Sequence, residues 1–216
     1  MQDFIMVTGM VISQIPIGEY DRRVCILTKE RGKISAFAKG ARRPGNRFMA
    51  ATNPFSFGQF KLYEGRNSYT VAEANISQYF EELRKDYIGA YYGMYFLEVA
   101  DYYTRENNDE REMLKLVYQS MRALLHPSFS HEFVRCVFEI KAVAVNGEFP
   151  GAPEDTAWEE STVYALEFIV ASTVEKLYTF TVKDKVFSEL KQIAKRYRKR
   201  FMDKEFKSLE ILRTLE

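Results

Sequence analysis

Hydrophobic and polar positions divide this 216-residue chain into two parts with different periodicities. In the first third, β-branched and aromatic residues occur in short runs that are typical of strands. The runs span residues 4–11, 24–28, 34–38, 57–63 and 69–74, and turn-forming residues such as Pro44-Gly45-Asn46 separate them. Five short strands predict a small closed barrel, because an open sheet of this size would leave its edges exposed. Barrels of the OB and SH3-like types are both candidates.

From Glu81 onward the pattern is helical, with apolar residues at helical spacing such as Tyr91, Tyr95 and Val99. This pattern predicts helices over 82–105, 110–125, 129–147, 160–178 and 183–202. The fold class predicted for the whole chain is therefore α+β, with an all-β barrel over residues 1–79 and an all-α domain over residues 80–216.

The composition indicates a folded, intracellular protein. An apolar share of 46% is ordinary for a packed core. No run approaches eighteen apolar residues, and the first residues lack the basic and apolar regions of a signal peptide, so neither a membrane span nor secretion is predicted. Cys25 and Cys136 are far apart and flanked by apolar residues, which favours buried thiols in a reducing compartment. We therefore expect a cytoplasmic protein.

The formal net charge of +1 conceals an uneven distribution of charge along the chain. Residues 1–77 carry eleven Lys/Arg and six Asp/Glu, residues 78–160 carry eight and sixteen, and residues 161–216 carry twelve and eight. The densest basic stretch is residues 22–48, where nine residues are basic and Glu30 alone is acidic. On a barrel hairpin this stretch would gather positive charge on one side, and phosphates are its natural partner.

The basic stretch supplies the candidate nucleic-acid contacts. Gly40 and Gly45 bracket two arginines, so the backbone there can approach a ligand closely. The predicted phosphate contacts are Arg22, Arg23, Lys29, Arg31, Lys33, Lys39, Arg42, Arg43 and Arg47, with Phe37 and Phe48 as candidate stacking faces. The alternative is that the charges are solvated and both phenylalanines belong to the core. A second basic cluster gives Lys195, Arg196, Arg198 and Lys199 as secondary candidates, for which a solvated helix end is an equally good interpretation.

Catalytic and metal sites are not predicted. The two histidines, His126 and His131, flank a helix break, and no Cys-x-x-Cys spacing or phosphate-binding Gly-rich loop is present. The carboxylates are spread along helical faces, which disfavours a small hydrolase or nuclease. We therefore expect no catalytic residue and no cofactor.

Several segments, in this order, resemble the RecO family of DNA repair proteins. The resemblance is carried by the segments 18–22, 28–34 and 38–44, the last containing Lys39-Gly40-Ala41-Arg42, and it continues through 53–55, 62–66, 90–92, 97–98, 138–141 and 207–210. It implies an OB-like barrel and a non-enzymatic, nucleoid-associated bacterial recombination mediator. It also implies binding of single- and double-stranded DNA, annealing of complementary strands, and action with RecR to help load RecA on strands coated by single-strand binding protein. The acidic C-terminal tail of that protein is a further implied partner.

One departure concerns a four-cysteine zinc module that many family members carry after the segment corresponding to residues 138–150. Residues 151–158 occupy that place here and contain no cysteine. We therefore predict that the protein holds no structural zinc.

A different class of function also fits the charge distribution. The acidic middle segment could face a basic partner, in which case the protein would be an interaction adaptor whose helical domain binds a partner peptide and whose barrel has weak affinity for DNA.

Overall fold

The computed structural model of the protein describes residues 4–66 and 68–215. Five strands form a closed barrel in the order β1-β2-β3-β5-β4. They are β1 (Phe4–Ile17), β2 (Asp21–Thr28), β3 (Gly32–Ala38), β4 (Phe57–Glu64) and β5 (Tyr69–Gln78). The β3–β5 pairing is parallel and the others are antiparallel. This is the small closed barrel that the strand pattern predicted, and it is of the OB-like type that the resemblance implied.

The barrel closes because β1 is long enough to pair with two neighbours. Its first half pairs with β4 and its second half with β2, and the register shifts between Val11 and Ser13. The sequence prediction ended this strand at residue 11, which was wrong, since pairing with β2 extends it to Ile17. Side chains that alternate along the strands fill the interior. This core contains Val7, Val11, Val24, Ile26, Ile34, Ala36, Ala38, Ala41, Phe48, Phe60, Leu62, Tyr69 and Val71.

Helices occupy most of the remaining chain. A short helix, α1 (Phe48–Ala51), lies between β3 and β4. The others are α2 (Glu81–Lys85), α3 (Tyr87–Tyr103), α4 (Arg111–Leu124), α5 (His131–Val145), α6 (Glu160–Ala171), α7 (Asp184–Phe201) and α8 (Lys207–Leu215), with a 3₁₀ turn at Val174–Lys176. The α+β class, a barrel followed by helices, is confirmed. No helix within residues 4–66 and 68–215 is long and apolar enough to span a membrane.

Of the helices that the hydrophobic pattern predicted, one is interrupted and another ends early. The helix predicted over 82–105 is interrupted at Asp86, whose carboxylate accepts a hydrogen bond from the Gly89 amide at 3.0 Å. This contact caps a new helix at its N-terminus. The helix predicted over 160–178 ends at Ala171, because Ser172 is extended with φ −63° and ψ 143°.

The chain folds as two compact units. The first comprises Met1–Lys85 and Leu97–Leu114, and the second comprises Asp86–Phe96 and Lys115–Glu216. In the first unit, a segment after α3 completes the turn between β2 and β3. The Lys33 amide donates to the Arg105 carbonyl at 3.0 Å, and the Asn107 amide donates to the Arg31 carbonyl at 2.9 Å.

The second unit has an aromatic core. The rings of Phe96 and Phe138 stack with their centroids 4.1 Å apart, and Tyr95 meets Phe206 edge to face at 5.4 Å. Tyr95, Phe96 and Phe138 are fully buried, so side chains from α3 and α5 form the centre of this unit.

Candidate nucleic-acid interface

The register of the β2–β3 hairpin separates the predicted basic residues into two groups. Arg22 pairs with Ala38 at one end, and Thr28 pairs with Gly32 at the other. The two ends are six residue steps apart along the strand, which corresponds to about 20 Å. Lys29, Arg31 and Lys33 therefore lie at the turn, whereas the other six predicted basic residues lie at or just beyond the opposite end. The basic stretch thus does not gather its positive charge in one place.

Acidic groups surround the basic residues of the turn. Lys33 forms an ion pair with Asp101, with its Nζ 3.0 Å from the carboxylate, and Glu30 adjoins Lys29 in the turn itself. Glu106 is bridged to Gly32. The turn is therefore the weaker of the two ends as a phosphate-binding surface.

Two loops meet at the opposite end of the hairpin. We name residues 18–20, between β1 and β2, the L12 loop, and residues 39–47, between β3 and α1, the arginine loop. The Arg42 amide donates to the Tyr20 carbonyl at 2.8 Å, and Arg42 Nη1 donates to the Gly18 carbonyl at 3.1 Å. The Gly40 amide donates to Asp21 at 2.7 Å, next to the L12 loop. These bonds hold the two loops together.

Glycine conformation allows the arginine loop to turn tightly. Gly40 has φ +67° and Gly45 has φ +76°, values that favour glycine over residues with a Cβ. The Arg43 amide closes a turn on the Gly40 carbonyl at 2.9 Å. As a result, Arg42 and Arg43 are exposed at the tip of a turn rather than along a strand.

The cations at this end keep their charge available. Arg42 contacts a backbone carbonyl, Arg43 lies over the Tyr20 ring with its Cζ 4.6 Å from the centroid, and Arg47 lies over Phe48 at 4.8 Å. Lys39 is exposed. None of these four forms an ion pair with a residue in the part of the chain that the structure describes. Their positive charge is therefore not neutralised locally.

Arg23 and Phe37 lie next to each other on the outer face of the barrel. They are register partners, and they alternate with the buried Val24, Ala36 and Ala38. The Arg23 Nε donates to Ser35 Oγ at 2.7 Å. Phe37 is half-buried, so part of its ring faces outward.

Two of the predicted DNA-binding residues, Arg22 and Phe48, stabilise the fold of the barrel instead. The Arg22 Nη1 donates to the Met49 carbonyl, to Thr52 Oγ1 and to Asn53 Oδ1 at 2.8, 2.9 and 3.0 Å, which ties β2 to the end of α1. Burial and the nearby charge of Arg42 lower the Arg22 pKa. Phe48 is only 7% exposed within the barrel core, so its ring has no free stacking face.

Of the four secondary candidates on α7, the two arginines form ion pairs and the two lysines are exposed. Arg198 donates to the buried Glu139 at 2.7 Å, and Arg196 pairs with Asp155 and lies over the Trp158 ring at 5.3 Å. Burial alone would lower the Arg198 pKa, but Glu139 and Tyr95 outweigh it and the pKa is raised. Lys195 and Lys199 are exposed.

A groove of about 530 Å³ adjoins α7 and α8 in the second unit. Its apolar lining is Met202, Phe206 and Leu209. Its charged lining is Lys195, Arg198, Lys199, Lys204, Arg213, Asp203, Glu205 and Glu210. Because Arg198 is already paired with Glu139, the groove presents four other cations and three carboxylates around an apolar floor, a small excess of positive charge.

Tyr20 is the aromatic residue of this end that sequence reasoning did not select as a site residue. It is 40% exposed, in contrast to the buried Phe48. The signal was present in the sequence, because an aromatic ring within a Gly-Glu-Tyr-Asp turn has no strand neighbour to cover it.

Histidines, cysteines and carboxylates are the side chains that could ligate a metal ion, and the two histidines lie at helix ends. No group of three or more His, Cys, Asp or Glu side chains within residues 4–66 and 68–215 could hold a metal ion. His131 Nε2 lies 3.3 Å from Asp86, and His126 Nδ1 accepts from the Ser128 amide at 3.3 Å. Both histidines therefore take part in helix-end contacts.

Direct side-chain contacts hold the connection between α5 and α6. The Trp158 indole donates to the Pro153 carbonyl at 2.8 Å, and Tyr197 Oη donates to the Gly151 carbonyl at 2.7 Å. Arg196 joins the same connection through Asp155. Residues 151–158 are thus fixed by an aromatic ring, a hydroxyl and an ion pair.

Two family models that match this chain, one over the barrel and one over the first part of the helical region, come from the same family. Residues 1–80 match the family described as Recombination protein O N terminal, and residues 84–152 match Recombination protein O C terminal. The DNA repair protein RecO of Acetivibrio thermocellus is 27% identical over 99% of this chain and 98% of its own length. That of Alkaliphilus metalliredigens is 26% identical over 98% and 99%, and that of Symbiobacterium thermophilum is 34% identical over 67% and 57%. The chain belongs to the RecO family of DNA repair proteins.

Proposed function

We propose that this protein is a non-enzymatic recombination mediator of bacterial DNA repair that binds single- and double-stranded DNA and anneals complementary strands. In this proposal residues 1–79 are the DNA-binding domain and residues 80–216 the helical domain, and the protein acts in the cytoplasm at the nucleoid. With RecR it assists the loading of RecA on strands coated by single-strand binding protein.

The observation that carries the proposal is the group of exposed cations where the L12 loop and the arginine loop meet. Lys39, Arg42, Arg43 and Arg47 have no acidic partner among the described residues, and Arg23 lies beside Phe37 on the adjoining hairpin. Phosphates would release counterions on binding such a surface. Lys29 and Arg31, at the other end of the hairpin, are outlying contacts in this proposal.

Annealing requires no nucleophile. Cations that screen the phosphates of two strands lower their repulsion, and base pairing supplies the driving force. A basic surface is therefore sufficient for the reaction.

The groove beside α7 and α8 is our candidate site for the acidic tail of single-strand binding protein. Its basic rim would attract carboxylates, while Met202, Phe206 and Leu209 would contact apolar side chains. Lys195 and Lys199 would then serve peptide binding rather than DNA binding. Replacement of both by glutamate should abolish binding of a tail peptide while leaving DNA affinity within a factor of about two.

The decisive test is the binding of a fluorescent single-stranded oligonucleotide at several salt concentrations. The double variant Arg42→Ala/Arg43→Ala should bind more weakly, and its slope of log affinity against log salt should be smaller by roughly 1.4, because each phosphate contact contributes about 0.7. Arg122→Ala/Lys176→Ala removes the same charge from exposed positions of the helical unit and is the matched control. The same variants are then assayed for annealing of two complementary labelled strands.

Two outcomes would count against the proposed DNA site. Equal slopes in the two double variants would remove the arginine loop from the DNA site. If the unmodified protein does not bind DNA even at low salt, the adaptor function, centred on the groove, becomes the better explanation.

A further inference from the structure

The L12 loop exposes an aromatic ring beside the unneutralised cations. Tyr20 is 40% exposed and stands between Glu19 and Asp21 in the sequence. Exposure of a single aromatic side chain is common on protein surfaces. Its surroundings distinguish this one, because the ring lies where Arg42 and Arg43 also lie.

Hydrogen bonds hold the backbone of the L12 loop in place around Tyr20. Its own backbone carbonyl accepts from the Arg42 amide at 2.8 Å, and the preceding Gly18 carbonyl accepts from Arg42 Nη1 at 3.1 Å. The following residue, Asp21, accepts from the Gly40 amide at 2.7 Å. Bonds on both sides of Tyr20 therefore fix its backbone, so a ligand would not need to order the loop.

The Tyr20 side chain contacts a guanidinium and a carboxylate. Arg43 lies over the ring, with its Cζ 4.6 Å from the centroid, and the hydroxyl is hydrogen-bonded to Glu19, which together with burial raises the Tyr20 pKa. The hydroxyl therefore stays protonated and donates to the carboxylate. An aromatic face and a guanidinium plane are the two protein groups on which nucleobases stack.

We propose that Tyr20 is a stacking platform for an unpaired nucleobase, with Arg42 and Arg43 contacting the adjoining phosphates of the same strand. The inference rests on the proposed function and adds the kind of DNA that this end of the barrel recognises. Bases within a duplex are already stacked on each other and cannot reach the ring, whereas the phosphates of a duplex still reach the arginines. Tyr20 thus gives the site its preference for single strands.

The experiment measures the affinity of three single variants for a labelled oligothymidine and for a duplex of the same length. Tyr20→Leu removes the aromatic face, and Tyr20→Phe keeps it while losing the hydroxyl. Tyr63→Leu removes another exposed tyrosine of the barrel, on β4, and is the matched control. Thermal unfolding of each variant accompanies the binding curves.

We expect Tyr20→Leu to bind the oligothymidine about 5- to 150-fold more weakly, the range found for loss of one base–aromatic stack. The salt slope should be unchanged, since no phosphate contact is lost, and duplex affinity should stay within a factor of about two. Tyr20→Phe and Tyr63→Leu should bind both DNAs like the unmodified protein.

Three results would overturn the inference. If Tyr20→Leu binds the oligothymidine normally while Arg42→Ala/Arg43→Ala does not, the stacking role fails and the proposed DNA site stands. If Tyr20→Phe is as weak as Tyr20→Leu, the Glu19 hydrogen bond rather than the ring is responsible. If the unmodified protein binds neither DNA, this inference fails together with the proposed function.

Discussion

Breaking the buried ion pair between Arg198 and Glu139 should strongly destabilise the second unit. The Glu139 side chain is 2% exposed and that of Arg198 is 15% exposed, with a separation of 2.7 Å. Tyr95 Oη donates to the same Glu139 oxygen at 2.8 Å. Replacing Arg198 with methionine would leave a carboxylate buried with a single neutral donor.

Breaking a buried pair in this way costs about 3–5 kcal/mol, because the remaining charge is neither paired nor solvated. Since Arg198 retains some contact with solvent, we expect the lower end, about 3 kcal/mol. In a chain of this size each kcal/mol lowers Tm by about 2–4 °C, so Arg198→Met should lower Tm by roughly 6–12 °C.

The assay is urea denaturation followed by circular dichroism, supported by thermal unfolding. Arg200→Met changes an exposed arginine on the same helix and should alter stability by less than about 0.5 kcal/mol. Adding Glu139→Gln to Arg198→Met should restore part of the loss, because it removes the unpaired charge. A loss below about 1 kcal/mol in Arg198→Met would refute the reasoning. The same comparison would show whether reduced DNA binding of an Arg198 variant reflects stability rather than a lost contact.

Three further predictions concern the barrel, the thiols and metal content. Gly32→Ala should destabilise the protein by at least about 2 kcal/mol in urea denaturation, because φ is +64° and the added Cβ would lie 2.3 Å from the Arg105 carbonyl oxygen. The control Gly18→Ala, with φ +54° and nothing within 4 Å of the added Cβ, should cost about 1 kcal/mol. Equal losses of stability in the two variants would contradict this. Burial raises the pKa of Cys25 to about 11 and that of Cys136 still further, so both thiols should stay protonated at neutral pH and react with a disulfide reagent far more slowly than in urea; rapid native labelling would argue against it. Elemental analysis should find no stoichiometric zinc, and a chelator should leave Tm unchanged.

The barrel was predictable because its strands are short runs of β-branched and aromatic residues bounded by turn residues, and along β3 buried and half-buried residues alternate. The ends of the strands were harder to predict. Proline is a common turn residue, yet β1 passes through Pro16, because its pairing with β2 continues to Ile17 and Asp21. Such pairing is a property of the neighbouring strand and leaves no trace in the local pattern.

The candidate site was only partly predictable for the same reason. A run of basic residues is visible in the sequence, but the hairpin register that sends Lys33 to Asp101 and Arg42 to the L12 loop depends on residues distant in sequence. Arg22 and Arg43 look equivalent as letters. In the structure Arg22 is hydrogen-bonded to the end of α1, whereas Arg43 is exposed and lies over the Tyr20 ring.

The β2–β3 turn depends on a segment more than seventy residues later in the chain. Its Arg31 carbonyl and Lys33 amide are satisfied by Asn107 and Arg105, and Gly32 forms a bridge with Glu106. During synthesis the hairpin therefore leaves the ribosome well before the residues that complete it. A nascent or truncated chain ending near residue 80 would expose these backbone groups at the turn to water. The order of translation thus postpones the final closure of this turn until α3 has emerged.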